Sequence, residues 1–100
     1  MIYMDNASTT VVDKEAFDIA KKYLFENYAN SSSSYSMAND VKADMEDARE
    51  MIADLIGARY NEIYFTSGGS EANNWAILKA CELMENKGKH IISSKIEHHC

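Results

Sequence analysis

Glu62-Ile63-Tyr64-Phe65-Thr66-Ser67-Gly68-Gly69-Ser70-Glu71-Ala72-Asn73-Asn74 is the stretch that decides the fold. The apolar, β-branched and aromatic residues before Thr66 predict a short strand, and the lack of polar alternation predicts that both its faces are covered. The small residues that follow predict a tight turn, because glycine accepts backbone angles that other residues resist and lets a ligand approach the main chain closely. Ser70 is then expected to cap a helix whose first N–H groups point back into the turn. An anion, most often a phosphate, is the natural occupant of such a place. An ordinary strand-to-helix connection without a ligand fits the same residues equally well.

The remaining pattern completes an α/β reading. Asp13 is placed to cap a helix reaching about Tyr28, with Phe17, Ala20 and Leu24 on one face. Val41, Met45, Ala48, Ile52, Leu55 and Ile56 form the apolar stripe of a second helix over about 37–56, and Gly57 is placed to end it. A third helix is expected over about 71–87, with Ala76, Ile77, Ala80, Leu83 and Met84 inward, Cys81 buried among them and Gly88 closing it. Residues 89–95 read as a second strand, followed by a turn at 96–100. A strand–helix–strand connection of this length implies parallel strands, with ligands bound beyond their carboxyl ends. That topology predicts that the Ser67–Ser70 turn and His98 meet at one sheet edge. The fold class is therefore α/β, with helices and two parallel strands in a sheet left incomplete. An extended segment at 1–12 precedes the body at 13–100.

Composition narrows the function. Sixteen acidic against ten basic residues give a net charge of −6, which argues against nucleic acid or an anionic membrane as partner. A phosphate site here must rely on backbone amides rather than on a lysine cluster. No apolar run approaches the roughly 20 residues that span a bilayer. Two cysteines form no disulfide framework and the N-terminus shows no signal pattern, so a cytoplasmic, reducing setting is expected. His98, His99 and Cys100 are adjacent and diverge in direction, so no metal is expected. An acid/base or aromatic role suits one of the histidines better. Asp5, Asn6, Ser8, Thr9 and Thr10 are able to bind a ligand, but they also suit a self-bonded turn.

Three blocks in register are similar to the opening of the NifS/IscS-type cysteine desulfurases, class V members of the fold-type I PLP (pyridoxal 5'-phosphate) enzymes. They are Met4–Thr10, Phe65–Asn74 and Ile96–His99. The resemblance implies that Gly69 and Ser70 bind the cofactor phosphate, and that His98 stacks on the pyridine ring and shuttles protons. It also implies that Asn6, Ala7 and Ser8 line the substrate side. The implied reaction moves sulfur from L-cysteine to an enzyme cysteine as a persulfide and releases L-alanine, for iron–sulfur cluster assembly or other sulfur delivery. A sulfur-acceptor protein and a homodimer are the implied partners.

In this family the Schiff-base lysine, the acidic partner of the pyridine nitrogen and the persulfide cysteine lie later in the chain. The resemblance therefore implies an N-terminal part that does not turn over alone, with its two strands separated by others from later sequence. The family stretch Gly-Asn-Pro-Ser-Ser-x-His-x-x-Gly-Arg is replaced here by Ala29-Asn30-Ser31-Ser32-Ser33-Ser34-Tyr35-Ser36-Met37-Ala38-Asn39. Two alternatives stay open: another class V enzyme, such as a selenocysteine lyase or an aminotransferase-like protein, and a non-catalytic module that assembles with another chain.

Overall fold

The computed structural model describes residues 2–100, and its chain divides into two compact units, 1–63 and 64–100. The first unit carries helix α1 (Lys14–Phe25), helix α2 (Ser36–Ile56) and a 3₁₀ turn over Tyr60–Glu62. The second carries helix α3 (Gly69–Met84). Among the described residues there is no strand.

The expected pair of parallel strands is therefore corrected. Residues 60–62 wind into the 3₁₀ turn, and residues 63–66 and 88–94 form no ladder. β-branched and aromatic content suits a pleated, half-buried surface, but a strand exists only when a second segment supplies the hydrogen bonds. Neither segment has such a partner here. A helix closes its bonds within itself, which is why the three predicted helices form and the two strands do not.

Helix starts and stops follow local chemistry. Asp13 caps α1, its Oδ1 accepting the Ala16 N–H at 3.0 Å. α1 ends at Phe25, three residues short of the expected Tyr28. α2 ends in a Schellman motif: the Ala58 N–H donates to the Ala53 carbonyl at 2.9 Å and the Gly57 N–H to that of Asp54 at 3.3 Å. Gly57 stands at φ 68°, in the left-handed region that favours glycine. At α3 the expected cap is corrected. Gly68 occupies the cap position and Ser70 is the second helical residue. The helix also stops at Met84, ahead of Gly88.

Packing centres on α2. Ala38 and Ala53 are its buried residues, joined by Ala29 from the serine-rich approach. The 3₁₀ turn packs on α2, and Arg49 secures the exit by donating from Nη1 to the Ile63 carbonyl and from Nε to Glu46 at 3.1 Å. That pairing places Glu46 in an i, i+3 ion pair on the helix surface. Tyr23 reaches from α1 to donate its hydroxyl to Asp44 at 2.9 Å, and this bond to a carboxylate raises the tyrosine pKa.

The larger apolar side chains stay outside this core. Phe17, Leu24, Leu55 and Ile56 are exposed in the first unit, as are Ile77, Leu83 and Met84 in the second. Cys81 is exposed as well, which corrects the expectation of a buried thiol. Ile77, Cys81, Met84, His90 and Ile91 line an open groove of about 640 Å³ beside the C-terminal half of α3. Among the described residues no helix is long and apolar enough to cross a membrane.

Replacing Gly57 by Ala isolates the backbone cost of the α2 stop, because a Cβ there meets no atom within 4 Å. Denaturant unfolding is expected to show a loss of about 1 kcal/mol, the cost of a non-glycine residue in the left-handed region. An unchanged midpoint would contradict this assignment.

Candidate functional site

The site is built on the turn entering α3. Thr66 donates its hydroxyl to the Gly68 carbonyl at 3.2 Å, folding the turn on itself. Ser67 donates twice to one oxygen of Glu71, from its main-chain N–H at 2.6 Å and from its hydroxyl at 2.7 Å. Glu71 is the third residue of α3, so its carboxylate reaches back over the helix start much as in a capping box. These bonds, led by the main-chain one, hold the Glu71 carboxyl below its ordinary pKa. Neither Gly68 nor Gly69 is in the left-handed region, and a Cβ built on either meets no atom within 4 Å. Open space thus borders the turn where side chains at positions 68 and 69 would stand.

The C-terminal tail reaches the same end of α3. Asn74 donates from Nδ2 to the Ser70 carbonyl and to the Cys100 carbonyl, both at 2.8 Å. Asn73 donates to the Cys100 sulfur at 3.3 Å. Within the tail, the Cys100 N–H donates to His98 Nδ1 at 3.2 Å. That bond requires an unprotonated Nδ1, so the neutral ring carries its proton on Nε2. The His98 and His99 rings stack at 4.3 Å with planes 24° apart. Behind the turn, Tyr64 and Trp75 meet edge to face at 5.2 Å.

Gly69 and Ser70 therefore stand in the first turn of α3, and the segment bearing His98 is tied to the same helix end through Asn73 and Asn74. Asn6, Ala7 and Ser8 belong to the first unit, where they form an exposed turn. The Ser8 N–H donates to the Asp5 carbonyl at 3.1 Å, and the Tyr3 hydroxyl braces the loop by donating to the carbonyls of Asp5 and Thr9. Sequence reasoning assigned no role to Glu71, Asn73 or Asn74. The spacings that identify them are a carboxylate four residues after Ser67 and an amide four residues after Ser70. Among the described residues no cluster is able to hold a metal ion.

Comparison with known proteins places the chain. The model of the family described as "Aminotransferase class-V" matches residues 2–100. The chain belongs to that family. It is 49% identical to a protein of Methanosarcina thermophila named cysteine desulfurase IscS, over 98% of this chain and 24% of that relative. It is 46% identical to a protein of the same name from Dictyoglomus turgidum, over 98% of this chain and 25% of the relative. It is 39% identical to a NifS/IcsS protein homolog of Lactobacillus delbrueckii subsp. bulgaricus, over 98% and 26% respectively. The chain thus spans about a quarter of the length of the curated relatives it matches. No solved structure gives a significant match.

The Glu71–Ser67 contact carries a pH prediction. A carboxyl whose folded pKa is lowered contributes order above its unfolded pKa and loses it as pH falls through the folded value. The Glu71 carboxyl is expected to titrate below the ordinary glutamate range in a side-chain carbon NMR titration, with the Ser67 amide resonance shifting in step. A midpoint at or above the ordinary value would contradict the contact.

Proposed function

We propose that the chain is the N-terminal part of a PLP-dependent cysteine desulfurase. The observation that carries this reading is the likeness across 98% of the chain to proteins named as cysteine desulfurases. Residues 13–100 then belong to the cofactor-binding region, with 1–12 as a lead segment. The reaction takes L-cysteine and an enzyme thiol to L-alanine and an enzyme persulfide. The sulfur passes on to an acceptor protein in the cytoplasm, for iron–sulfur cluster assembly or a related delivery.

The residues present fit the cofactor phosphate. Gly69 and Ser70 open the first turn of α3, where a helix leaves its N–H groups without helical partners. Open space lies beside Gly68 and Gly69. In a chain of charge −6 the anion is held by main-chain amides at a helix start rather than by lysines. Gly69 and Ser70 would bind the phosphate through their N–H groups and the Ser70 hydroxyl. When bound, PLP supplies the electron sink for weakening the substrate C–S bond. His98 would face the pyridine ring and hold a transferable proton on Nε2 while Nδ1 is occupied by the Cys100 N–H. Asn6, Ala7 and Ser8 are assigned to the substrate side. Exposure of large apolar residues on all three helices supports a working protein in which further polypeptide, including a second subunit, covers them.

Full-length protein loaded with PLP is expected to release sulfide from L-cysteine in the presence of a thiol reductant, with one L-alanine per sulfide. His98→Ala is expected to lower turnover about 100-fold, the lower part of the range for losing a general acid/base group. Release of selenide from selenocysteine with no sulfide from cysteine would move the assignment to a selenocysteine lyase, and no turnover of either would overturn it.

A further inference from the structure

We infer that Glu71 is the positioning residue of the phosphate turn, a role that rests on the PLP reading above. Two observations assign it. Both Ser67 donors converge on one Glu71 oxygen, at 2.6 and 2.7 Å, and the main-chain N–H groups of Gly69 and Ser70 are among those that the helix start leaves without a helical partner. The carboxylate therefore divides the turn. Ser67 is tied back to the helix, while Gly69 and Ser70 begin the helix itself, with no atom within 4 Å of a Cβ built on Gly69.

Charge makes this arrangement specific. A carboxylate in the first turn of a helix is stabilised by the helix dipole, and bonds from N–H and O–H to an ionised oxygen are about twice as strong as neutral ones. Its own negative charge would repel a phosphate, but both donors of Ser67 and the helix start screen it. The lowered pKa of Glu71 agrees with a carboxylate that stays ionised while it holds the turn. Thr66 adds a neutral brace through its bond to the Gly68 carbonyl, and Asn74 fixes the far side by its bond to the Ser70 carbonyl. Glu71 is the charged member of this set.

The test compares PLP with pyridoxal, which has the same ring and aldehyde but lacks the phosphate, by absorbance titration of the full-length apoprotein. Glu71→Ala is expected to weaken PLP binding about tenfold, roughly 1.4 kcal/mol, and to leave pyridoxal binding within twofold. Glu71→Gln, which keeps an acceptor oxygen without the charge, is expected to recover part of the loss. If Glu71→Ala fails to fold, Glu71→Gln is read alone, with about a threefold loss expected for PLP and none for pyridoxal.

Equal losses for both ligands, or a change below twofold for PLP, would overturn the inference. Tighter PLP binding by Glu71→Ala would overturn it in favour of a carboxylate that competes with the phosphate. A wild-type protein that binds neither ligand would overturn the PLP reading itself, a result distinct from these.

Discussion

Backbone hydrogen bonding that closes within a few residues is the constraint on which the rest of this structure depends. Each helix satisfies its own interior, and its ends are finished locally: Asp13 at the start of α1, the Gly57 reversal after α2, and the Glu71–Ser67 contact before α3. Where a segment needs a distant partner for its peptide groups, as at 63–66 and 88–94, no ladder forms. The same division governs burial. Local structure buries Ala29, Ala38 and Ala53, whereas the larger apolar side chains stay exposed.

How legible each element was in the sequence follows from this division. Asp13 and Gly57 were readable because a cap and a left-handed reversal are chosen by the residue itself. The strands were not, because Ile63, Tyr64 and Phe65 record only a preference for a pleated surface, and the decision belongs to a neighbouring segment. The inward faces assigned to α1 and α3 erred for a related reason. Helical periodicity identifies which side chains would be buried together, but it does not supply the surface that buries them. On α2 the outcome is mixed: Val41, Met45 and Ala48 of the predicted stripe are half-buried, Ile52, Leu55 and Ile56 are exposed, and the buried Ala38 and Ala53 lie outside that stripe, while the 3₁₀ turn and the Arg49–Ile63 bond close on the helix from its C-terminal side.

In the candidate site, the small-residue turn and its position before a helix were legible, and the helix start was displaced by two residues. Ser70 looked like the cap because serine is a good one, yet Gly68 takes the cap position while the Glu71 carboxylate reaches past it to Ser67. A capping residue on the N-terminal side is easy to find in sequence. A side chain reaching backward from inside the helix competes with it and is read only from the spacing of both. Asn73 and Asn74 were missed because their partners, Ser70 and Cys100, are respectively one helical turn away and at the far end of the second unit.

These locally closed bonds also explain how a site can be shaped where the surrounding sheet is absent. The turn is fixed by Thr66, Ser67 and Glu71, and the tail by two asparagines, so none of the contacts that set the helix start depends on a strand ladder. The His98 ring then inherits its tautomer from the Cys100 main chain, and the tail containing that N–H is held by Asn74. In a chain of net charge −6, the anion site proposed at this turn rests on donors of the helix start rather than on a lysine cluster. The turn proposed for the phosphate is thus set by the short-range chemistry of residues 66–74, and the features that depend on distant packing are the ones this segment leaves open.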